Sequence, residues 1–299
     1  MDSFSSATWR DAVVAALGYH GAPRWSVAGE GPWTKSWSLH VGRERLFVKT
    51  ARASAAEMFA AEADGLRALA STATIKVPSV RLRGTQGDCA FLVLSWLDLG
   101  DAHRGEALGR ALATLHRIAA PSGPSGERYG WSRDNYIGGA PQLNGWTNDW
   151  ATFFCDRRLK PQLARVLRAG YGNVLKADGE LVLGLVPELL AGHEPLPSLL
   201  HGDLWSGNAA TLIDGTPVMF DPAVYVGDRE ADLAMTRLFG GFDVAFYRAY
   251  EASWPLPPGH DVRRDLYNLY HVLNHLSLFG TGYLDHARTL MKRLLKAAS

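Results

Sequence analysis

The chain has 299 residues, of which 47% are apolar, and a formal net charge of +1 at pH 7. This length has room for two packed regions, and the apolar share is normal for a globular protein. A nearly neutral chain argues against a nucleic-acid or membrane surface as the main partner, because both require a concentrated basic face.

Two further features indicate where the protein works. The sequence has no stretch of 18 consecutive apolar residues and no basic segment followed by an apolar run at its start, so we expect a cytoplasmic protein. Its two cysteines, Cys89 and Cys155, have neither a metal-ligand spacing nor the number expected of a disulfide framework.

The first hundred residues predict a small lobe built on an antiparallel sheet. Amphipathic periodicity, β-branched runs and Gly-containing turns define its elements. These are a helix over 5–17, strands over 37–41 and 45–50, a helix over 53–70, and strands over 78–83 and 90–94.

Helical patterns dominate from about residue 98 onward. The predicted helices cover 104–118, 146–169, 230–238, 244–253, 263–278 and 284–298. The segment 120–145 is rich in Gly, Pro, Ser and Asn and is too long for an ordinary connector, and such loops are often functional. We therefore expect an α+β, bilobal fold with a small lobe over 1–97 and a larger, mainly helical lobe over 98–299.

The run His201-Gly-Asp-Leu-Trp-Ser-Gly-Asn208, followed by Asp221, carries the strongest chemical signal. Phosphoryl transfer needs one carboxylate at the attacking hydroxyl, and it needs amide and carboxylate oxygens on the magnesium ions that bridge the ATP phosphates. Kinases have the same spacing, with an Asn five residues after the catalytic Asp and a second Asp farther along the chain. The pattern predicts Asp203 as the catalytic residue and Asn208 and Asp221 as Mg²⁺ ligands.

The residues around this motif resemble those of the fructosamine kinase (ketosamine-3-kinase) family. That family belongs to the kinase-fold group that also contains the aminoglycoside and choline kinases. The resembling segments are Lys49, 58–69, 135–139, 144–146, 201–208, 221–235 and 267–271. The resemblance implies a protein-kinase-like fold and an ATP-dependent enzyme that phosphorylates the sugar C3 hydroxyl of ketosamines, which leads to deglycation of amines or proteins.

Lys49 ends an apolar strand, where a charge is costly unless it has a partner. In the kinase interpretation its ammonium contacts the α- and β-phosphates and is held by a carboxylate on the next helix. Glu62 is the expected partner because relatives usually have Glu there, and Glu57 and Asp64 are the competing choices.

Two other segments are expected to contact the nucleotide. Gly29 and Gly31 stand where a phosphate-covering turn belongs, since glycines let backbone N–H groups approach phosphate oxygens, although a plain hairpin turn is the alternative. Ser95, Trp96 and Leu97 follow a buried-type strand and are expected to form the hinge between the lobes, where backbone groups pair with the adenine edge.

The acceptor site is the least defined part of the sequence. Trp205, Trp131 and Trp146 lie in or near polar loops, where an aromatic ring could pack against a sugar, but Trp is more often part of a core. Asp228 could face the substrate or cap the helix that begins near residue 229. We expect Asp232 to bury its carboxylate against the backbone of the catalytic loop.

Two alternative functions are weighed against ketosamine phosphorylation. A kinase of the aminoglycoside or choline type acts on cationic substrates and would favour a dense acidic run, which the sequence lacks. An inactive binding module on the same fold would have lost one of the key residues, whereas Lys49, Asp203, Asn208 and Asp221 are all present.

We further expect a monomer that takes a free or protein-bound ketosamine, with ATP and Mg²⁺ as cofactors. Some relatives are thought to be redox-switched through a cysteine in the phosphate-covering region. Residues 29–49 contain no cysteine here, so we expect activity that does not respond to redox conditions.

Overall fold

A computed structural model describes residues 6–100 and 105–298 of the chain. Its contacts divide the chain into two compact units, one from the described parts of 1–102 and 211–221, the other from those of 103–210 and 222–299. The expected lobe boundary after residue 97 remains a prediction. The units differ from it in two respects, because the first unit continues to residue 102 and also includes the segment 211–221.

The first unit contains an antiparallel five-stranded sheet and two helices. Its α-helices in the described residues are α1 (Ser6–Ala16) and α2 (Ala56–Ser71). Its strands before residue 101 are β1 (Arg24–Glu30), β2 (Lys35–Val41), β3 (Glu44–Arg52), β4 (Val80–Gln86), β5 (Cys89–Ser95) and β6 (Leu99–Gly100). The strand order in the sheet is β1-β2-β3-β5-β4. Strand β1 was not predicted, because most of its side chains are exposed and it lacks a buried alternation.

One core of this unit lies between α1 and the sheet. Leu39 of β2, Val48 of β3 and Val93 of β5 are buried there and cluster with Trp9 and Val13 of α1. Helix α2 packs against β4 and β5. The predicted start of α1 at residue 5 lies outside the described residues.

A second, smaller sheet explains why 211–221 joins the first unit. It is formed by β6 with β10 (Ala209–Leu212) and β11 (Pro217–Met219), in the order β11-β10-β6. Thr211 and Leu212 pair with Gly100 and Leu99, so these hydrogen bonds fix the chain shortly before Asp221.

The second unit is mainly helical. Its helices are α3 (Gly105–Arg117), α4 (Trp150–Phe153), α5 (Lys160–Val166), α6 (Gly172–Leu189), α7 (Glu230–Leu238), α8 (Val244–Ser253), α9 (His260–Phe279) and α10 (Leu284–Ala297). Its strands form two short antiparallel pairs, β7 (Asn135–Ile137) with β8 (Ala140–Gln142) and β9 (Ser198–Leu200) with β12 (Tyr225–Gly227).

Most predicted helices agree with this list to within three residues. The helix predicted over 146–169 does not, because it begins at Trp150 and π-helical segments, Phe154–Leu159 and Leu167–Tyr171, lie between α4, α5 and α6. Helices α7 and α8 have the predicted bounds, whereas α6 was missed because Pro187 and three glycines weaken its helical pattern. The predicted start of α3 at residue 104 lies outside the described residues. None of the helices in the described part of the chain is both long and apolar enough to cross a membrane.

Candidate active site

Lys49 is the central charged residue of the first unit. It lies on β3, is buried, and donates hydrogen bonds to Oε1 of Glu62 at 2.7 Å and to Oδ1 of Asp221 at 2.6 Å. Of the three carboxylates considered on α2, Glu62 therefore provides the ion pair. Burial opposes the Lys49 charge, but the Asp221 and Glu62 carboxylates outweigh it and raise the pKa of Lys49 above its ordinary value. The ammonium is charged at all physiological pH values.

Asp221 has an unusual backbone conformation. Its φ of 58° lies in the left-handed region, which few residues other than Gly, Asn and Asp adopt. Such conformations cluster at active sites and ligand-binding loops. Its side chain remains 46% exposed while one oxygen contacts Lys49, so the carboxylate is also accessible to a ligand.

The glycines expected to cover phosphate lie in the β1–β2 hairpin. Gly29 is part of β1, opposite Ser36, and Gly31 opens a turn closed by the bond from its N–H to the carbonyl of Thr34 at 2.8 Å. Because Ser36 is also the register partner of Lys49 on β3, the hairpin turn lies a few residues from the Lys49 position on the same sheet.

The predicted hinge residues line a cavity of about 430 Å³ in the first unit. Ser95, Trp96 and Leu97 form part of its wall. The other lining residues are Arg45, Phe47, Pro78, Leu94, Asp98, Leu99, Ile213, Phe220 and Asp221. A largely apolar cavity with a few polar groups is typical of a small-molecule site, and its size suits an adenine ring.

Sequence reasoning did not identify several members of this cavity. Arg45 lies on β3 with its guanidinium 3.4 Å from the centre of the Trp96 ring, and Ile213 follows β10. These residues approach the hinge only through strand pairing and carry no local motif. The one sequence signal that could have identified Arg45 and Phe47 is their spacing, because side chains at alternate positions of β3, such as Arg45, Phe47 and Lys49, lie on the same face of the strand.

The predicted catalytic loop, residues 201–208, lies in the second unit between β9 and β10. The buried Asp232 of α7 accepts hydrogen bonds from the backbone N–H of His201 at 2.7 Å and of Gly202 at 2.8 Å. This confirms the prediction that Asp232 holds the loop backbone. His116 contacts the same carboxylate at 3.2 Å. Burial opposes the charge of Asp232, but the contact with His116 and the backbone donors outweigh it and lower the pKa of Asp232.

Asn208, the predicted Mg²⁺ ligand of this loop, is oriented by Asp203. Its Nδ2 donates to the backbone carbonyl of Asp203 at 2.9 Å and to Oδ2 of Asp203 at 3.3 Å. Because the amide nitrogen is used in this way, the amide oxygen is the atom that can bind a metal ion. An amide oxygen on Asn208 and a carboxylate on Asp221 are the hard oxygen donors that Mg²⁺ prefers, so the donor chemistry fits this ion.

The three tryptophans proposed for the acceptor side differ in exposure. Trp205 is 41% exposed, and its ring lies so close to Gly207 that a Cβ there would be 2.2 Å from it. Trp146 is half-buried beside Gly130, and Trp131 is half-buried against the helical core. A ring that packs inward favours the core alternative for Trp131 and Trp146, whereas Trp205 presents a surface that a sugar could contact.

Asp228 lies inside the second unit and is 1% exposed. Its Oδ1 accepts the N–H of Glu230 at 3.0 Å, and its Oδ2 accepts Tyr267 at 2.6 Å and contacts His193 at 2.7 Å. These contacts at the start of α7 favour the helix-capping alternative over a substrate contact. Among the residues predicted to contact the substrate, Asp228 therefore has the least structural support for that role.

Comparisons with known proteins agree over nearly the whole chain. A family model described as fructosamine kinase matches residues 19–297. A probable ketoamine kinase from Synechocystis sp. is 46% identical over 275 residues, 91% of this chain and 90% of that protein. A chloroplastic protein-ribulosamine 3-kinase from Arabidopsis thaliana is 40% identical over 259 residues, 84% of this chain and 77% of that protein.

Solved structures agree with the predicted fold class. A crystal structure assigned as a fructosamine-3-kinase, from Haemophilus somnus, has a TM-score of 0.86 at 29% identity and covers 98% of this chain and 99% of that one. An aminoglycoside phosphotransferase in complex with ADP and hygromycin B has a TM-score of 0.67 at 15% identity, over 96% of this chain and 97% of that one, which shows the fold alone. The predicted α+β, protein-kinase-like fold is confirmed.

Proposed function

We propose that this chain, which belongs to the fructosamine kinase family, transfers the γ-phosphoryl group of ATP to the C3 hydroxyl of a ketosamine. The observation that carries the proposal is the arrangement of the loop 201–208. Asp203 lies beside Asn208 in this loop, and Asp232 binds the loop backbone. The names of the related proteins, ketoamine kinase and ribulosamine 3-kinase, support the substrate class.

The first unit is proposed to bind the nucleotide. The adenine ring occupies the cavity lined by Ser95, Trp96 and Leu97, where it pairs with backbone groups. The Lys49 ammonium contacts the phosphates, and Glu62 holds it in position. The ion pair costs little reorganisation during the reaction because it exists before ATP binds.

Asp221 and Asn208 are proposed to hold Mg²⁺ through their side-chain oxygens. An ion held by these two residues would supply positive charge to offset the negative charge that develops on the phosphoryl oxygens during transfer. The left-handed backbone of Asp221 and the hydrogen bonds on the amide nitrogen of Asn208 orient these oxygens in advance.

Asp203 is proposed to orient the acceptor and accept its proton. The C3 oxygen forms a bond to the γ-phosphorus as its O–H proton passes to the Asp203 carboxylate, and the bond to the ADP oxygen breaks. Because phosphoryl transfer is mostly loose, positioning contributes as much as basicity. Enolisation of the product then expels the C3 phosphate, and water cleaves the resulting imine to release the amine.

The proposal extends to localisation and assembly. We place the protein in the cytoplasm as a monomer that acts on free or protein-bound ketosamines, without a nucleic-acid partner. The net charge of +1 and the unpaired state of Cys89 and Cys155 agree with this assignment.

A direct test measures ATP turnover with fructosamine, ribulosamine, erythrulosamine and an aminoglycoside as acceptors, and locates the phosphate by NMR. We expect turnover of ketosamines with phosphate on C3. The isosteric variant Asp203→Asn should lower kcat at least about 10²-fold, the scale of a positioned acid–base group, with ATP affinity retained. Turnover of the aminoglycoside alone, or phosphate on another carbon, would contradict the proposal.

A further inference from the structure

The β7–β8 hairpin within 120–145 directs two amide side chains into the protein interior. Asn135 and Gln142 are register partners at the open end of the hairpin and are 4% and 2% exposed. Nε2 of Gln142 donates to Oδ1 of Asn135 at 2.8 Å. The two amides therefore form a buried polar pair, although they lie in a segment predicted from the sequence to be a long loop.

Both amides bind the backbone of the segment that follows Asp221 and Pro222 in the chain. Nδ2 of Asn135 donates to the carbonyl of Val224 at 2.7 Å, and Nε2 of Gln142 donates to the carbonyl of Ala223 at 3.0 Å. A buried carbonyl that lacks a hydrogen-bond donor destabilises the fold, so the two amides satisfy a requirement of this backbone segment.

Ala223 in turn determines the path of the catalytic loop. Its N–H donates to the carbonyl of His201 at 2.8 Å. A Cβ on Gly202, whose φ is 82°, would lie only 2.1 Å from the Ala223 carbonyl oxygen. The loop is therefore held on one side by Asp232 and on the other by Ala223, immediately before Asp203.

The hairpin end is itself fixed to the helical core. The hydroxyl of Tyr270 on α9 donates to Oε1 of Gln142 at 2.6 Å. The fully buried guanidinium of Arg158 donates to Oδ1 of Asn144 at 2.7 Å and lies 3.9 Å from the centre of the Tyr225 ring. A directed chain of donors thus runs from Tyr270 through Gln142 to Ala223.

We infer that Gln142 and Asn135 are positioning residues for phosphoryl transfer, acting through Ala223 and Val224 on the loop that carries Asp203. This inference rests on the proposed function. It requires a side chain at 142 that accepts from Tyr270 and donates to Ala223 at the same time. Gln does both, whereas Glu has the same shape but cannot donate when ionised.

The test compares Gln142→Ala and Gln142→Glu with a matched control, Gln162→Ala. Gln162 is equally buried in the same unit and also contacts Tyr270, but its amide donates to Asn274 and not to Ala223. We expect both variants at 142 to lower kcat about 10-fold or more, the scale of lost supporting contacts, with the KM for ATP nearly unchanged. As pH falls, the ratio of the kcat of Gln142→Glu to that of wild type should rise, because the carboxyl group of the variant regains a proton to donate.

A structural measurement separates this inference from the proposed function. Hydrogen exchange at the Ala223 amide should be faster in Gln142→Ala than in Gln162→Ala, whether or not the protein phosphorylates ketosamines. Wild-type exchange at Ala223 in Gln142→Ala, or an equal kcat loss in Gln162→Ala, would overturn the inference. If both variants at 142 fail to fold, Tyr270→Phe, which removes one donor, provides the same comparison with a smaller expected loss of kcat.

Discussion

The Lys49 ammonium lies 2.6 Å from Oδ1 of Asp221, although the two residues are 172 positions apart in the sequence. Glu62 contacts the same ammonium at 2.7 Å. The buried Lys49 ammonium, predicted to contact the phosphates, thus already contacts the predicted metal ligand before any nucleotide binds. Since Asp221 and Glu62 both hold Lys49, loss of either carboxylate leaves one partner in place.

This arrangement predicts non-additive mutations. Lys49→Ala should lower kcat/KM about 10²-fold or more, as removal of a preorganised donor does. Glu62→Gln should have a milder effect, because Asp221 still contacts Lys49. The double variant with Lys49→Ala and Glu62→Gln should have the same kcat/KM as Lys49→Ala alone, since both side chains belong to one ion pair. Lys35→Ala, on the adjacent strand, is the control and should retain activity. Strictly additive losses would mean that Glu62 acts independently of Lys49.

Substitution of Asp221 tests the metal assignment. Asp221→Asn keeps a residue that tolerates the left-handed conformation but removes the charge. We expect Mg²⁺ to lose its effect on ADP affinity, while Mg²⁺-free binding in the hinge cavity persists. Calorimetric titrations of ADP with and without Mg²⁺ measure both quantities. A wild-type Mg²⁺ dependence in the variant would show that another group binds the metal.

Asp232 predicts a specific pH dependence of stability. Its folded pKa is lowered, so its carboxylate stabilises the fold above the unfolded pKa of about 3.9, and this contribution is lost as pH falls through the folded pKa. Asp232→Asn should lower the free energy of unfolding by about 2 kcal/mol or more near pH 7, and the difference from wild type should shrink in acid.

Chemical denaturation between neutral and acidic pH measures this difference. The control is Asp285→Asn, because the Asp285 side chain is 94% exposed on α10. It should follow the wild-type curve at every pH. A constant difference between Asp232→Asn and wild type across the acid range would show that the Asp232 charge does not stabilise the loop.

Trp205 provides a test of acceptor binding. Trp205→Ala should raise the KM for the ketosamine roughly 5-fold to 10-fold, corresponding to ~1 kcal/mol of aromatic contact. Slow ATP hydrolysis should persist because Asp203 and Asn208 remain. Trp146→Ala, in contrast, should lower thermal stability with little change in KM, since Trp146 packs on Gly130. An unchanged KM in Trp205→Ala would assign Trp205 to packing alone.

The two cysteines predict activity that does not respond to mild oxidation. Cys89 is buried, and burial raises its pKa to about 11. Burial and the neighbouring Asp156 also raise the pKa of the half-buried Cys155. Little thiolate therefore exists at pH 7, and oxidation starts from the thiolate. Turnover in reducing and oxidising buffers should be nearly equal. A reversible loss that Cys89→Ser or Cys155→Ser removes would overturn this prediction.

The sequence by itself determined the elements and residue types that depend on local patterns. The 201–208 motif and Asp221 predicted the catalytic and metal-binding roles because phosphoryl transfer requires these groups at a fixed spacing. The helices over 230–238 and 244–253 followed from apolar periodicity. Strand β1 and helix α6 did not, because an exposed strand and a helix with Pro187 lack a clear period.

Only the tertiary structure decided which distant groups meet. The contact of Lys49 with Asp221 follows from the pairing of β10 with β6, which brings 211–221 into the first unit. The bond from Gln142 to the Ala223 carbonyl likewise joins a Gly-rich loop to the segment after the metal ligand. Hydrogen bonds from side chains to the backbone cannot be predicted from residue spacing, because nearly every residue has the backbone carbonyl and N–H groups that serve as partners.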